Sequence, residues 1–374
     1  MKDYRHYFSR SLSHFKDYLL FQGHSHHLWP DAGFAGHEMA AHLAATQADL
    51  KWQTLYQDII PKAKSIISSQ LGLSHQDMVF APNTHELLTR LMETLMHRGA
   101  KTLCTTTSEF YSARRQFQSY QTAGLLKVNW QKHEFTDSAE QILENLGAAD
   151  IVFFSQCFFD NARFLPTEEI EKWLAKIPSS TTVIIDLYHS YATRQLKLDQ
   201  INQRCYLLAG SYKYAMAGEG VGFLIPPQQG PDLNPINTGW FAQFELLENN
   251  PKTLQYPQGA QRFSGATYDP SGLCRFVKVW QMWQDEKITL NDFHQHAIEL
   301  QKKLSTITQP QGAKLLYHPE QEHGHFLCWQ FQTRQQASEY QQKLLDRKIL
   351  CDSRENYLRL GQAPYLHSIP QDLF

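Results

Sequence analysis

Apolar residues in the middle of the chain alternate between two periods. Five short runs rich in β-branched and aromatic residues have the length and composition of buried strands: 101–107 (KTLCTTT), 150–156 (DIVFFSQ), 181–187 (TTVIIDL), 205–211 (CYLLAGS) and 221–226 (VGFLIP). Between them, 85–96 (HELLTRLMETLM) carries apolar residues three and four apart. The stretch 166–177 (PTEEIEKWLAKI) opens on proline followed by acidic residues, as a helix N-terminus does. Strands alternating with helices predict a mostly parallel sheet covered on both faces. Residues 36–71 predict one or two long amphipathic helices ahead of that sheet. After about residue 245 the pattern loosens through Asn249-Asn250-Pro251 and a Pro-, Gly- and Gln-rich stretch to Gly265. A long helix over 271–305 and a strand-and-helix segment complete the chain. The division expected is an N-terminal arm over 1–35, packing on the small domain and the site entrance, a large α/β domain over 36–250, and a smaller C-terminal α+β domain over 251–374.

Composition narrows the class. A length of 374 residues suits two domains, and 42% hydrophobic residues suffice for a core, which excludes a disordered or fibrous chain. Lys+Arg 35 against Asp+Glu 37 leaves a net charge of −2 with no long run of one sign, so no basic stripe for nucleic acid is expected. No apolar run approaches the ~20 residues that span a bilayer, and the N-terminal stretch interleaves charge with aromatics instead of forming a signal peptide's apolar centre. The six cysteines are scattered with no C-x-x-C pair, which suits neither a zinc ribbon nor a disulfide scaffold. A soluble cytoplasmic enzyme is the expectation, with 18 histidines keeping metal chemistry open.

In a parallel sheet, ligands sit at the carboxyl ends of the strands. After TTVII comes Asp186-Leu187-Tyr188-His189; after CYLLAG comes Ser211-Tyr212-Lys213-Tyr214, then a turn with Gly218 and Gly220. An acid and a histidine end one strand and a lysine follows the next. This suits pyridoxal 5′-phosphate, whose ring nitrogen needs a carboxylate and whose aldehyde carbon needs an amine. The same residue types also fit a loop cap and an ordinary surface lysine.

The segment SYKYAMAGEGVGFLIPP resembles the lysine segment of kynureninases, within the class V aminotransferase group of fold-type I pyridoxal-phosphate enzymes. The likeness recurs in order. Phe21 to Pro30 is similar to the family's N-terminal Gly-Asn-Ser-Leu-Gly segment, and Asn83-Thr84-His85 to its phosphate turn entering a helix. Asp186-Leu187-Tyr188-His189 is similar to Asp-Leu-Ala-His, and Gly239-Trp240-Phe241 to Gly-Trp-Phe/Trp. Arg262 to Thr267 resembles the segment that reaches the neighbouring subunit's cofactor, and Cys351 to Glu355 with Leu358-Arg359-Leu360 and Ala363-Pro364 follows Asp-x-Arg-Glu…Arg…Pro.

The resemblance implies a fold-type I transferase fold, a mostly parallel central sheet in a large domain plus a smaller C-terminal α+β domain. It implies cofactor binding by Thr84, His85, Phe110, Ser155, Asp186, His189, Tyr212, Lys213, Trp240 and Thr267, with Lys213 and Tyr212 catalytic. Arg359 would bind the substrate α-carboxylate and Ser25 the substrate. A homodimer with sites at the subunit interface is implied, acting on a small amino acid by hydrolytic Cβ–Cγ cleavage that releases alanine. There are departures. The family's aromatic-Pro-Ser/Thr-Asp stretch is Thr106 to Tyr111 here, leaving Phe110 or Tyr111 as the stacking ring. Tyr-Thr-Gly-Gln becomes Phe159-Asp160-Asn161-Ala162, and the Gly-His after Gly-Trp-Phe becomes Ala242-Gln243. These fall where substrate is read.

Aminotransfer and cysteine desulfuration or β-lysis are the alternatives within this chemistry. A desulfurase needs a mobile thiol, and Cys351, ahead of Arg359, reads better as a buried core residue. A rival from another class is a metal-dependent amidohydrolase barrel, since His24-Ser25-His26 follows an apolar run and histidines two apart on a strand share a side. No second pair appears at barrel spacing, so no metal is expected. A non-catalytic protein of the same fold is disfavoured because Asp186, Lys213 and Arg359 are all present.

Overall fold

The computed structural model describes residues 2–133, 137–147, 149–243, 253–307, 309–317 and 321–374. The expected domain boundary near residue 250 lies outside the described residues. Strands are numbered in chain order. β1 (Leu19–Leu20) lies in the N-terminal arm. β2 (Val79–Ala81), β3 (Thr102–Thr106), β4 (Lys127–Gln131), β5 (Ile151–Ser155), β6 (Thr182–Asp186), β7 (Cys205–Gly210) and β8 (Gly222–Ile225) make one sheet in the order β2-β8-β7-β6-β5-β3-β4. Its neighbours pair in parallel except around β8, which runs antiparallel to β7 and β2. β9 (Lys314–Leu315), β10 (Phe326–Gln330), β11 (Ile349–Leu350), β12 (Asp352–Arg354) and β13 (Tyr357–Gly361) follow. Of these, β12-β13-β10-β9 form an antiparallel sheet and β11 pairs in parallel with β1.

The five apolar runs become β3, β5, β6, β7 and β8. β2 is only three residues long, and β4 (KVNWQ) is a half-exposed edge strand, so neither presents an apolar run. Within the central strands, alternate side chains feed two separate cores, as the pleat requires. Val152, Phe154, Val183, Ile185, Leu207 and Ala209 enter one core. Ile151, Phe153, Ile184, Tyr206 and Leu208 enter the other, against Leu87, Leu88 and Leu91 of the Thr84–His97 helix.

The helix expected over 271–305 is two helices, Ser271–Asp285 and Leu290–Thr306. Lys287 has φ 54°, and Thr289 starts the second helix with a reciprocal capping box to Asp292. Trp280 and Trp283 are buried on the first of these helices. In the 36–71 region the helices are Asp31–Gln47, beginning after Pro30, and Ile60–Leu71, joined by irregular helical turns.

The N-terminal arm is threaded through this body. Tyr4, Phe8, Leu20 and Phe21 are buried, with Tyr4 against Phe293 and Phe8 against Tyr365 and Trp283. The arm pairs with β11 through β1. The Gly361 N–H then donates to the Phe21 carbonyl, and the His27 N–H donates to the Tyr212 carbonyl at 3.4 Å. No helix among the described residues is long and apolar enough to cross a membrane.

Candidate functional site

Strand register sets the site. Ser155 pairs with Asp186, and Asp186 with Leu208, so the carboxyl ends of β5, β6 and β7 sit level. Continuing the alternation of the strands turns Ser155, Asp186 and Leu208 to the face that carries the Thr84–His97 helix. The strand order reverses between β3 and β5, where an open α/β sheet leaves a crevice. Phe110 follows β3 on one side of that crevice and Ser155 ends β5 on the other. A cavity of about 370 Å³ opens there, within the range of small-molecule sites. Eight residues singled out from the sequence line it: Thr84, His85, Phe110, Ser155, Asp186, His189, Tyr212 and Lys213.

The amine is buried among rings and one carboxylate. Lys213 Nζ lies 2.9 Å from His189 Nε2, 4.8 Å from the Tyr188 ring centroid and 5.1 Å from that of Phe110. Burial pulls the ammonium below the ordinary lysine range; Asp186 opposes this and Arg359 adds to it. Asp186 is itself pushed up by burial, against the Tyr188 backbone N–H that donates to its Oδ1 at 2.7 Å and the Lys213 charge. His189 is held well below its usual range, first by burial and then by Lys213, and is therefore neutral. Beneath Ser155, Glu109 bonds the Thr106 hydroxyl (2.7 Å) and the Ser155 hydroxyl (2.6 Å), and burial raises its carboxyl to about 8.

At the other end of the cavity the Thr84–His97 helix presents its N-terminus, with the Asn83 side chain accepting from the Glu86 N–H at 3.0 Å; unpaired backbone N–H groups at a helix start favour negative charge. Gly222 on β8 allows this close approach: a β-carbon there would come within 2.6 Å of the Thr84 nitrogen and nearer still to the Asn83 carbonyl carbon.

Four residues singled out from the sequence do not line the cavity. Trp240 is 41% exposed, and its Nε1 donates to Thr267 Oγ1 at 2.8 Å. Ser25 sits beside His26, its hydroxyl 3.3 Å from the ring. Arg359 is buried beside the site, its Nε and Nη2 donating to Asp352 at 2.8 and 2.5 Å and its Nη1 to the Phe159 carbonyl. Of the two candidate stacking rings, Phe110 lines the cavity, whereas Tyr111 is 40% exposed with its hydroxyl near Glu355.

The barrel alternative is corrected on two grounds. The main sheet is open, and the two histidines serve different carboxylates: buried His24 bonds Asp352 at 2.8 Å, while exposed His26 reaches Glu219 at 3.3 Å and stacks on Tyr212. Among the described residues no three His, Cys, Asp or Glu side chains converge as metal ligands would. Cys351 is buried, and burial pushes its thiol up. Sequence reasoning gave no role to Tyr188, Glu109 or Asp352, and read the His24 ring only as a candidate metal ligand. Glu109 is fully buried, which the motif around it did not show. The contact between His24 and Asp352 joins positions 328 residues apart and leaves no local signal.

No protein-family model matches the chain, and no curated protein matches it. Solved structures do. A lysine-to-alanine mutant of C-DES with glycine covalently linked to its PLP cofactor superposes with a TM-score of 0.81 at 14% identity, over 98% of this chain and 96% of that one. The cystine C–S lyase C-DES in complex with its product cysteine persulfide gives 0.78 at 14%, over 95% and 94%. The apo cysteine desulfurase from Thermococcus onnurineus NA1 gives 0.74 at 14%, over 95% and 92%. The protein therefore has the α/β fold of these desulfurase and lyase structures, with its mostly parallel central sheet, across nearly its whole length.

Proposed function

We propose that the protein is a pyridoxal-phosphate-dependent enzyme acting on an amino acid, and within that class a C–S lyase that breaks the Cβ–S bond of a cysteine derivative. The observation that carries the reading is the meeting of Lys213, Asp186 and His189 with a helix N-terminus on one cavity at the sheet's carboxyl edge. Thr84 and the helix N-terminus suit the cofactor's phosphate, Asp186 its ring nitrogen, Phe110 its ring face, and Lys213 its aldehyde carbon. When bound, the group supplies an electron sink for negative charge at the substrate Cα. Burial keeps Lys213 disposed to the neutral amine, the form that takes a proton from Cα. Arg359 suits the substrate α-carboxylate. Tyr212, whose hydroxyl burial pushes up to about 12, stays protonated and suits proton transfer.

The choice of sulfur chemistry rests on the thiols. All six cysteines are buried, and burial raises each of them, so none presents a thiolate to carry sulfur. This favours direct elimination of a sulfur leaving group, as the C–S lyase likeness also does, over a desulfurase that passes sulfur to its own cysteine. The leaving sulfur takes a proton, and water completes the conversion of the remainder to pyruvate and ammonia. The reduced thiols fit a cytoplasmic protein. Trp240 and Thr267, bonded to each other away from the cavity, fit a homodimer in which they serve the neighbouring subunit's cofactor.

The test has two steps. Protein incubated with pyridoxal phosphate should gain absorbance near the visible edge, and Lys213→Ala should lose it; an unchanged spectrum would sink the cofactor assignment. Cystine, cysteine conjugates and kynurenine are then supplied and products scored. Pyruvate with ammonia supports lysis. Alanine from kynurenine restores Cβ–Cγ hydrolysis, alanine from cysteine indicates desulfuration, and a keto acid matching the substrate indicates aminotransfer.

A further inference from the structure

Arg359 does not stand free to receive a carboxylate. A guanidinium has five N–H bonds. Nε and Nη2 each give one to Asp352, and Nη1 gives one to the Phe159 carbonyl. One N–H remains on each terminal nitrogen, enough for a carboxylate approaching end-on. The position of that free edge is set by Asp352, and Asp352 has a second partner, His24 Nε2 at 2.8 Å. Burial disfavours the Asp352 carboxylate, yet His24 and Arg359 outweigh this and hold it below the usual range. Burial also brings His24 down to about 4, so its ring is neutral and Nε2 donates.

His24 is wedged where it stands. Its ring stacks on Phe326 at 4.9 Å and 23°, and it crosses Gly361, where a β-carbon would come within 2.7 Å of the His24 nitrogen and closer to the ring.

We propose that His24 is a positioning residue that fixes the carboxylate-receiving edge of Arg359 through Asp352, so that selectivity for substrates bearing an α-carboxylate depends on it. The inference rests on the reading above, in which Arg359 receives that carboxylate. Arg354 also faces this carboxylate, its Nη2 3.5 Å from Asp352 Oδ2.

Two measurements separate this proposal from the function it builds on. In cofactor-free protein labelled with ¹⁵N-arginine, the Arg359 Nε–H signal, assigned by its loss in R359K, should be shifted and slow to exchange. In H24A it should move and exchange faster, and in H24N, which keeps an N–H donor, it should return toward the wild-type position. In cofactor-loaded enzyme, H24A should raise KM for the α-amino acid about tenfold, the loss of one charge-assisted hydrogen bond. Binding of the matching decarboxylated amine should be unaffected. An Arg359 signal indifferent to H24A, or equal weakening of acid and amine, overturns the proposal. Should H24A fail to fold, H24F keeps the ring stack without the donor and carries the same expectations. If the protein takes up no pyridoxal phosphate, the function falls, and the arginine signal still decides the positioning role.

Discussion

Burial acts on whichever form of a group is charged, so it drives Glu109 and Lys213 toward neutrality from opposite sides. Glu109 ionises near 4.5 in an unfolded chain and at about 8 in the fold. Between those values the folded state binds the extra proton, so stability falls as pH rises through the window. Glu109→Gln removes the ionisation and can still bond both hydroxyls. The variant should gain roughly 1–4 kcal/mol on the wild type near pH 8 and little near pH 4, as read by urea denaturation at the two pH values. A neutral Glu109 also explains how a second carboxyl is tolerated beside Asp186, since two buried charges of one sign would repel strongly. Ser155 lines the cavity and donates its hydroxyl to Glu109.

At the level of elements, two close approaches make the site. β8 returns antiparallel beside β7, and Gly222 on it lets the chain at Asn83–Thr84 lie almost on the strand. Gly222→Ala must move either the strand or the helix N-terminus. The expected cost is about 1–3 kcal/mol of stability, together with weaker binding of an anion at that end. Denaturant melts and pyridoxal-phosphate titration followed by absorbance check the two effects. A variant that loses stability but binds the phosphate compound as before would show that the helix N-terminus is not its seat. The second approach, His24 across Gly361, joins the arm to β13.

Over the whole molecule, the N-terminal arm belongs to the body it crosses. Phe21 is fully buried, β1 extends β11, and residues 24–27 run from Asp352 to Tyr212. Phe21→Ala should therefore lower the stability of the entire protein by about 3–5 kcal/mol, as for other large core truncations. Circular dichroism and tryptophan fluorescence should report one shared transition at lower temperature. An unchanged transition, or an early separate step, would mean that the arm folds apart from the rest. The same variant should raise KM for the amino-acid substrate, since the chain leads directly from Phe21 to His24.

What the sequence by itself determined was local and periodic. Apolar runs of strand length became β3, β5, β6, β7 and β8, because a strand buried on both faces needs an uninterrupted apolar stretch whatever its neighbours. Residues just past those runs had to gather at one edge of a parallel sheet, which is why Asp186, His189 and Lys213 were legible as a group. The short β2 and half-polar β4 carried too few apolar positions to be seen, and the break at Lys287 depended on a backbone turn with no apolar signature. Only the tertiary structure decided the protonation states, because desolvation depends on what surrounds a group and not on what precedes it in the chain. It alone disclosed that Arg359 is engaged by Asp352 and that His24 bonds the same carboxylate, whereas the burial of the cysteine ahead of the arginine was already expected from the apolar residues before it. These contacts join the first and last parts of the chain, and no spacing or period along a sequence encodes a meeting of that kind.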